Sequence, residues 1–267
     1  MKRLLGVRMQ ISLNIPDTMR ELEERAIAAI QEYEPPEGYY LAFSGGKDSQ
    51  VVYDLVKKAG VKYDVHFHFT TVDPPELLRF IKKNYPEVSW DRPKHSMFYY
   101  IERKGFLPTR GIRYCCSLLK ECYGKGRVVV TGVRREESKK RSERNLYEPY
   151  TKDKKTIFLN PIVDWKDNTV WNYIGANNIQ ACCLYEEGFE RIGCVMCPLA
   201  GGKQMEKEAK RWPKYYMAYQ RAVARELERA KERGRASLVS GLTAEDTMRW
   251  WIYAEKSPCA EQCQLFG

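Results

Sequence analysis

Hydrophobic and polar positions follow two alternating periods in the first part of the chain. Apolar residues recur at helical spacing from Thr18 to Tyr33, and Tyr39–Phe43 is an apolar run typical of a strand. A helical period follows from about Asp48 to Lys58, and Gly60 marks its end. Tyr63–Phe69 then alternates apolar and polar residues, as a half-buried strand does. This order predicts a β-loop-α-β unit.

Strand and helix patterns continue to alternate toward the middle of the chain. We predict helices over Pro75–Asn84, Ser96–Lys104 and Cys115–Cys122, and a buried strand over Arg127–Gly132 because its valines are uninterrupted. Strands that alternate with helices predict an α/β protein with a doubly wound, mostly parallel sheet. A long charged helix over about Lys203–Arg233 predicts a helical lobe at the C-terminal end.

These patterns predict three segments. Residues 1–36 form an N-terminal helical segment, residues 37–200 the α/β domain, and residues 201–267 the C-terminal helical lobe. A chain of 267 residues with 43% hydrophobic content can bury one substantial core. No apolar run reaches the roughly 20 residues that cross a bilayer, and the first residues are too charged for a signal peptide. We therefore expect a cytoplasmic protein without a membrane segment.

Charge and cysteine content narrow the chemistry. The net charge of +10 and the pI of about 9.1 suggest an anionic partner, either a phosphate-bearing small molecule or nucleic acid; a solvated basic surface is an equal alternative. Nine cysteines in a cytosolic protein are not explained by disulfides, because cytosolic thiols are kept reduced. Some of them should therefore bind metal or take part in catalysis.

A glycine-rich turn joins the first predicted strand to the helix that follows it. Small residues there let backbone amides approach phosphate, and the helix N-terminus favours negative charge. The spacing differs from both the Walker A loop and the dinucleotide-binding fingerprint. The six residues of the turn are Ser44, Gly45, Gly46, Lys47, Asp48 and Ser49.

This turn resembles the SGGxDS signature of the PP-loop ATP pyrophosphatase superfamily, which has the adenine nucleotide α-hydrolase fold. The resemblance implies that the whole turn binds ATP, with Lys47 and Asp48 catalytic, and that ATP is cleaved between its α- and β-phosphates. Mg²⁺ is expected with the nucleotide.

Two cysteine pairs have ligand spacing. Cys115-Cys116 and the Cys-x-x-Cys pair of Cys194 and Cys197 supply four thiolates, which suit either zinc or a [4Fe–4S] cluster, and spacing alone does not choose between them. Cys122 is a possible substitute ligand. Cys182-Cys183 lies in an apolar stretch, so we expect that pair to pack in the core.

From Tyr39 to Pro198 the chain resembles the phosphoadenylyl-sulfate and adenylyl-sulfate reductase family. In the cluster-bearing branch of that family, a Cys-Cys pair and a later Cys-x-x-Cys hold a [4Fe–4S] cluster beside the nucleotide. The resemblance therefore implies Cys115, Cys116, Cys194 and Cys197 as cluster ligands. The segments that carry it, besides the loop, are Arg113–Cys116, Thr131–Ser138, Asn160–Ile162, Trp165 and Val170-Trp171.

Polar residues after two predicted strands complete the expected site, because ligands bind at the carboxyl ends of strands in open α/β sheets. Gly132 ends one strand, and Arg134 and Arg135 after it have guanidinium groups that match phosphate or sulfate oxygens; the alternative is surface pairing with the neighbouring glutamates. We expect Arg134 to be catalytic as well. Asp73 follows the second strand and either binds Mg²⁺ or a ribose hydroxyl, or caps a helix.

The chain also departs from the reductases. Their phosphate loop is usually altered, because a sulfonucleotide has no β–γ pyrophosphate, whereas this loop is intact. Their nucleophilic cysteine lies in a Glu-Cys-Gly-(Ile/Leu)-His tail, of which only Cys263 and Leu265 match here. The resemblance places a catalytic thiol at Cys263, and Cys259 and Cys263 are alternatively a sulfur relay, a metal site or without function.

Three functions follow. The first is an ATP-dependent sulfur transferase that adenylates an acceptor, releases pyrophosphate, and delivers sulfur from a donor; a DNA or tRNA acceptor fits the basic charge. The second is a sulfonucleotide reductase acting on adenylyl sulfate or its 3′-phosphorylated form, with a thioredoxin-like reductant. The third is a non-catalytic nucleotide or redox sensor. The sequence does not predict the oligomeric state.

Overall fold

The computed structural model describes residues 17–151, 153–234 and 242–253. Six strands and nine α-helices, together with two short 3₁₀ turns, make up the elements of these residues. The strands are β1 (Tyr39–Ala42), β2 (Tyr63–His68), β3 (Ser89–Asp91), β4 (Val128–Val130), β5 (Tyr147–Pro149) and β6 (Ile157–Leu159). The helices are α1 (Asp17–Glu32), α2 (Lys47–Ala59), α3 (Pro75–Asn84), α4 (Met97–Lys104), α5 (Tyr114–Leu119), α6 (Asp167–Ala176), α7 (Gly202–Arg211), α8 (Pro213–Glu232) and α9 (Ala244–Tyr253).

The six strands form one sheet in the order β3-β2-β1-β4-β6-β5. All neighbouring pairs are parallel except β5 and β6 at the edge. The predicted doubly wound, mostly parallel α/β fold is therefore confirmed. The chain proceeds outward from β1 through β2 to β3, and then crosses to β4 on the other side of β1. A ligand crevice is expected where the strand order reverses, at the carboxyl ends of β1 and β4.

The central strands are apolar because helices cover both faces of the sheet. Leu41 and Val130 have no exposed surface, and Leu55 of α2 is also fully buried against the sheet. Burial of each such side chain contributes about 1.5–3 kcal/mol relative to exposure. Gly60 ends α2 in the left-handed conformation, with φ of 69°. The predicted end of this helix is therefore correct.

The charged segment near the C-terminal end differs from its prediction. The single helix expected over Lys203–Arg233 is wrong, because the structure has α7 and α8 with Trp212 between them. Pro213 has no N–H to donate, and its ring would clash with the preceding helical turn. The helix therefore cannot continue through Trp212. The proline instead starts α8, where a missing N–H costs nothing.

The C-terminal helices share the core of the sheet domain. Tyr219 of α8 and Met248 of α9 are buried in one apolar cluster with Ile101 of α4. The rings of Tyr219 and Phe98 of α4 pack edge to face, with their centroids 5.3 Å apart. None of the described helices is long and apolar enough to cross a membrane.

Candidate active site

The glycine-rich turn lies at the carboxyl end of β1. Gly45 has φ of 74°, and a methyl group added to it would lie 2.7 Å from the Ile81 side chain of α3. Only glycine combines this conformation with this close approach. Ser49 stabilises the turn, because its hydroxyl accepts from the Ser44 hydroxyl at 3.1 Å and donates to the Gly46 carbonyl at 2.8 Å. Both hydroxyls therefore maintain the shape of the loop.

Lys47 begins α2 and is 7% exposed. Its Nζ lies 2.7 Å from Asp167 Oδ1, at the start of α6, and 5.4 Å from the centre of the Trp171 ring. Its backbone N–H donates to the Tyr185 hydroxyl at 2.9 Å. The ammonium is therefore positioned within the cavity wall by α6 and by the 3₁₀ turn that contains Tyr185.

Arg134 follows β4 and is 4% exposed, so it is not a surface residue. Its Nε lies 2.6 Å from Asp48 Oδ1, its Nη2 2.7 Å from Asp167 Oδ1, and its Nη1 3.0 Å from Glu136 Oε2. The pairing with a neighbouring glutamate thus exists, but within a buried network. Gly132 permits the approach, because a methyl group there would lie 2.9 Å from the Asp48 carbonyl. The loop and the β4 end therefore form one site.

Carboxylates outnumber cations in this part of the site. Asp48, Glu136 and Asp167 surround Lys47 and Arg134. Burial raises the pKa of Asp48, although Arg134 opposes this shift. The pKa of Asp167 is lowered, because Lys47 and Arg134 outweigh its burial. Both buried cations are therefore already paired with carboxylates.

Two other predicted nucleotide-site residues point elsewhere. Arg135 pairs with Asp164 and donates to the Arg144 carbonyl at 2.8 Å, and it does not line the cavity. Asp73 is buried, and its Oδ2 accepts from the Thr70 N–H at 2.6 Å. These contacts leave Arg135 at the surface and Asp73 in a turn behind the cavity wall.

One cavity of about 2410 Å³ joins the phosphate loop to the predicted cluster ligands. Ligand pockets for small molecules usually measure about 300–1,000 Å³. This cavity is therefore large enough for a nucleotide and a second reactant together. All four predicted ligands lie in its wall, and these are Cys115, Cys116, Cys194 and Cys197.

The Cys-x-x-Cys loop is held in an uncommon conformation. Met196 has φ of 59°, which non-glycine residues rarely adopt. Its N–H donates to the buried Glu208 carboxylate, and the N–H of Val195 donates to the Val72 carbonyl at 2.7 Å. These bonds maintain the strained turn that orients Cys194 and Cys197 toward the cavity.

The Cys115-Cys116 pair provides an acidic thiol. A hydrogen bond from Cys115 lowers the pKa of Cys116 to about 6, against the effect of burial. Lys120 lies nearby, and its pKa is raised mainly by Cys194, with Asp73 and Cys197 adding to the effect. Sequence reasoning missed Lys120. The signal was its position four residues after Cys116, which places both on one face of a helical turn.

The donor set fits a cluster in chemical type. Four thiols and a lysine meet in one wall, and thiolates are the ligands of iron–sulfur clusters. Across residues 17–151, 153–234 and 242–253, no three His, Cys, Asp or Glu side chains lie close enough to share one metal ion. A single zinc draws each thiolate to about 2.3 Å, whereas a [4Fe–4S] cluster gives each thiolate its own iron.

The other cysteines occupy different environments. Cys122 donates to the Leu118 carbonyl at 3.3 Å and does not line the cavity. The expectation that both Cys182 and Cys183 pack in the core is correct for Cys182 and wrong for Cys183, which is exposed in the cavity wall. Cys259 and Cys263 lie outside the described residues.

Comparison with known proteins identifies the family. Residues 38–200 match the model of the phosphoadenosine phosphosulfate reductase domain. The chain belongs to this family. A crystal structure of phosphoadenylyl-sulfate reductase from Candida auris superposes with a TM-score of 0.51 at 19% identity, covering 70% of this chain and 98% of that chain. This likeness supports the common fold.

Curated relatives include proteins of known and unknown activity. An uncharacterised protein of Methanocaldococcus jannaschii is 33% identical over 75% of this chain and 52% of its own length. An adenosine 5′-phosphosulfate reductase of Neisseria meningitidis is 33% identical over 51% of this chain and 60% of its own length. The chain spans about half the length of the first two curated relatives, at 52% and 44%.

Proposed function

We propose that this member of the family is an ATP-dependent sulfur transferase. ATP is cleaved to AMP and pyrophosphate as an acceptor is adenylated, and sulfur then displaces AMP. The observation that carries this proposal is the excess of carboxylates around Lys47 and Arg134 beside an intact phosphate loop. Magnesium polyphosphates suit such a site better than a sulfonucleotide does, because Mg²⁺ is bound by carboxylate and phosphate oxygens together.

The residues have distinct roles in this proposal. Backbone amides of the loop and the Lys47 ammonium bind the β- and γ-phosphates, which only ATP possesses. Arg134 stabilises charge that develops on the α-phosphate as pyrophosphate leaves. Asp48 holds the guanidinium through Nε, and Asp48 and Asp167 are the carboxylates that would bind Mg²⁺. When bound, Mg²⁺ would neutralise phosphate charge.

The four cavity thiols would hold the cluster. Cys115 and Cys116 on α5 and Cys194 and Cys197 on the strained loop are the proposed ligands. A bound cluster would supply an iron site for sulfur or a redox centre. Lys120 contributes a positive charge among the thiolates, which offsets their mutual repulsion.

Sulfonucleotide reduction is the second candidate. Several relatives carry the name adenosine 5′-phosphosulfate reductase, and their identity to this chain is 33% and 27% for two of them. In that case a cysteine would attack the sulfate sulfur, and Cys263 is the residue that the resemblance suggests. A thioredoxin-like reductant would then complete turnover.

We propose a nucleic-acid acceptor within the first function. The cavity volume is larger than a nucleotide requires, and basic side chains from several elements line it. Nucleic acid would bind through its phosphates to such side chains. They are Arg79, Lys83, Arg113, Arg141, Arg191, Lys203 and Lys207.

Binding and product analysis in parallel test the proposal. Anaerobically prepared protein is titrated with magnesium ATP and with adenylyl sulfate, and products are analysed for pyrophosphate, AMP and sulfite. We expect ATP to bind more tightly and pyrophosphate to appear in the presence of acceptor nucleic acid. Tight binding of adenylyl sulfate with sulfite release would instead establish the reductase. Absence of turnover with both nucleotides would favour a sensor.

A further inference from the structure

The segment from Gln180 to Tyr185 crosses the nucleotide side of the cavity. The carbonyl of its first residue, Gln180, accepts a hydrogen bond from Gln50 Nε2 at 2.7 Å. Its last residue accepts from the Lys47 N–H at 2.9 Å through the Tyr185 hydroxyl. Both contacts are with the first turn of α2, where the phosphate loop ends. The segment is therefore held in place beside the phosphate loop.

Two adjacent thiols in this segment differ in their surroundings. Both line the cavity, but Cys183 is exposed, whereas Cys182 is only 1% exposed. Burial raises the pKa of Cys182 to about 11, and the adjacent Cys183 adds to this shift. Cys182 is therefore a neutral thiol next to an accessible sulfur atom.

We propose that Cys183 is the thiol that carries sulfur into the active site as a persulfide, with Cys182 as its positioning residue. This inference rests on the proposed function. The four cavity cysteines assigned to the cluster are needed there as ligands, and Cys122 lies outside the cavity. Among the described cysteines, Cys183 is the only one that is exposed in the cavity and is not assigned to the cluster.

The loading step is a balanced exchange. The Cys183 thiolate attacks the outer sulfur of a donor persulfide, a new S–S bond forms at Cys183, and the donor thiolate leaves with the electrons of the broken bond. The Cys182 S–H donates to the terminal sulfur anion and orients it. No oxidant is required, because the transferred sulfur is already at the oxidation level of a persulfide.

The delivery step starts from the Cys183 persulfide. The terminal sulfur attacks the adenylated acceptor and AMP leaves, which joins the acceptor to Cys183 through a disulfide. One thiolate of a dithiol reductant attacks the Cys183 sulfur, so that the acceptor leaves as a thiolate and a disulfide forms between Cys183 and the reductant. The second thiol of the reductant then attacks that disulfide, which returns Cys183 to its thiolate and leaves the reductant oxidised.

Mass spectrometry of the loaded protein tests the assignment. Anaerobic holoprotein is incubated with a cysteine desulfurase and free cysteine as the persulfide source, alkylated, and digested. We expect the peptide with Cys183 to gain one sulfur atom, Cys183→Ser to abolish that gain, and Cys122→Ser to leave it unchanged. Cys182→Ala should reduce loading severalfold without abolishing it, because the thiol positions the sulfur but does not accept it.

The controls separate this inference from the proposed function. ATP affinity and iron content should be unchanged in Cys183→Ser, which shows that the variant is folded and that the nucleotide site is intact. Sulfur on Cys259 or Cys263 alone, or on no cysteine, would overturn the inference while ATP binding persists. Failure of the wild-type protein to bind ATP would count against the proposed function, whereas loading of Cys183 would still be measurable.

Discussion

At the scale of single residues, the Asp167 carboxylate occupies the position where a bound phosphate would be expected. Asp167 Oδ1 lies 2.7 Å from both Lys47 Nζ and Arg134 Nη2, where a phosphate oxygen would be expected to bind. Lys47 and Arg134 were foreseeable, because a loop motif and a strand end point to them. Asp167 was not, since its partners are 120 and 33 residues away in sequence and only the fold brings them together.

We expect Asp167→Asn to strengthen binding of polyphosphates that carry no magnesium. The neutral amide no longer competes for Lys47 and Arg134, and an ion pair whose carboxylate is half-exposed is worth up to about 1 kcal/mol. Affinity for pyrophosphate in the presence of chelator should therefore rise about threefold to fivefold. Calorimetric titration measures this change. Asp164→Asn is the matched control, because Asp164 pairs with Arg135 at the surface. Unchanged or weaker binding would show that Asp167 does not compete with phosphate.

Lys47→Ala should have the opposite effect on ATP. Loss of a charge-assisted contact to the β- and γ-phosphates costs roughly 1.5–3 kcal/mol, which is about a ten- to hundredfold loss of ATP affinity. AMP affinity should change little, since AMP lacks those phosphates. Lys57→Ala on the exposed end of α2 is the control. An equal loss for ATP and AMP would mean that Lys47 supports the loop rather than the outer phosphates.

At the scale of elements, most helices and strands were predictable from the period of hydrophobic residues and from the glycine and proline residues that end them. The helix over Pro75–Asn84 has the predicted bounds, and Ser96 caps the next helix by accepting from the Tyr99 N–H at 3.2 Å. The short strands β3, β5 and β6 were missed, because three residues are too few to show a period. The break at Trp212 was missed because the charge pattern continues through it.

Gly132→Ala tests the contact between β4 and α2. The added methyl group would lie 2.9 Å from the Asp48 carbonyl, so the strand end and the helix start must separate. Such overpacking typically costs about 1–3 kcal/mol, and we expect a lower melting temperature and weaker ATP binding. Gly175→Ala in α6 is the control, because nothing lies within 4 Å of the added group. Equal melting temperatures and affinities for the two variants would contradict the close packing described here.

At the scale of the whole molecule, the fold assembles one cavity from distant parts of the chain. The cysteine pairs were recognised from their spacing, but the 2410 Å³ space between them and the phosphate loop depends on how α5, α7 and the 194–197 loop pack. The placement of Cys183 in that space was unpredictable for the same reason. An apolar sequence neighbourhood indicates burial of a segment, not of each residue in it.

Iron analysis tests the cluster assignment. Anaerobically purified protein should be brown with about four iron and four sulfide per chain, and Cys194→Ser or Cys197→Ser should lose the colour, because a thiolate ligand is lost. Cys122→Ser, Cys182→Ala and Cys183→Ala should retain the iron. If the protein instead contained stoichiometric zinc and no iron after anaerobic reconstitution, the cluster assignment would be wrong and the four thiols would form a zinc site.

The net charge of +10 leads to a prediction for nucleic-acid binding. Lys139 and Lys140 are exposed on the segment after β4, next to Arg141 in the cavity wall. If a single-stranded acceptor reaches the cavity past this segment, its phosphates contact these lysines, and affinity should fall steeply with salt, by a slope of about −0.7 per phosphate neutralised.

Binding of fluorescent single-stranded RNA and DNA, measured by anisotropy between low and moderate salt, checks the prediction. Replacing Lys139 and Lys140 by Ala should make the logarithmic salt slope shallower by about 1–1.5, because up to two contacts are lost. Lys57 and Lys62 provide the matched double variant, since both are exposed near the amino-end edge of the sheet, away from the site. An unchanged slope in the first variant, or equal effects in both, would mean that nucleic acid does not enter along this segment. Salt-independent or absent binding would leave phosphate-bearing small molecules as the anionic partners that the charge indicates.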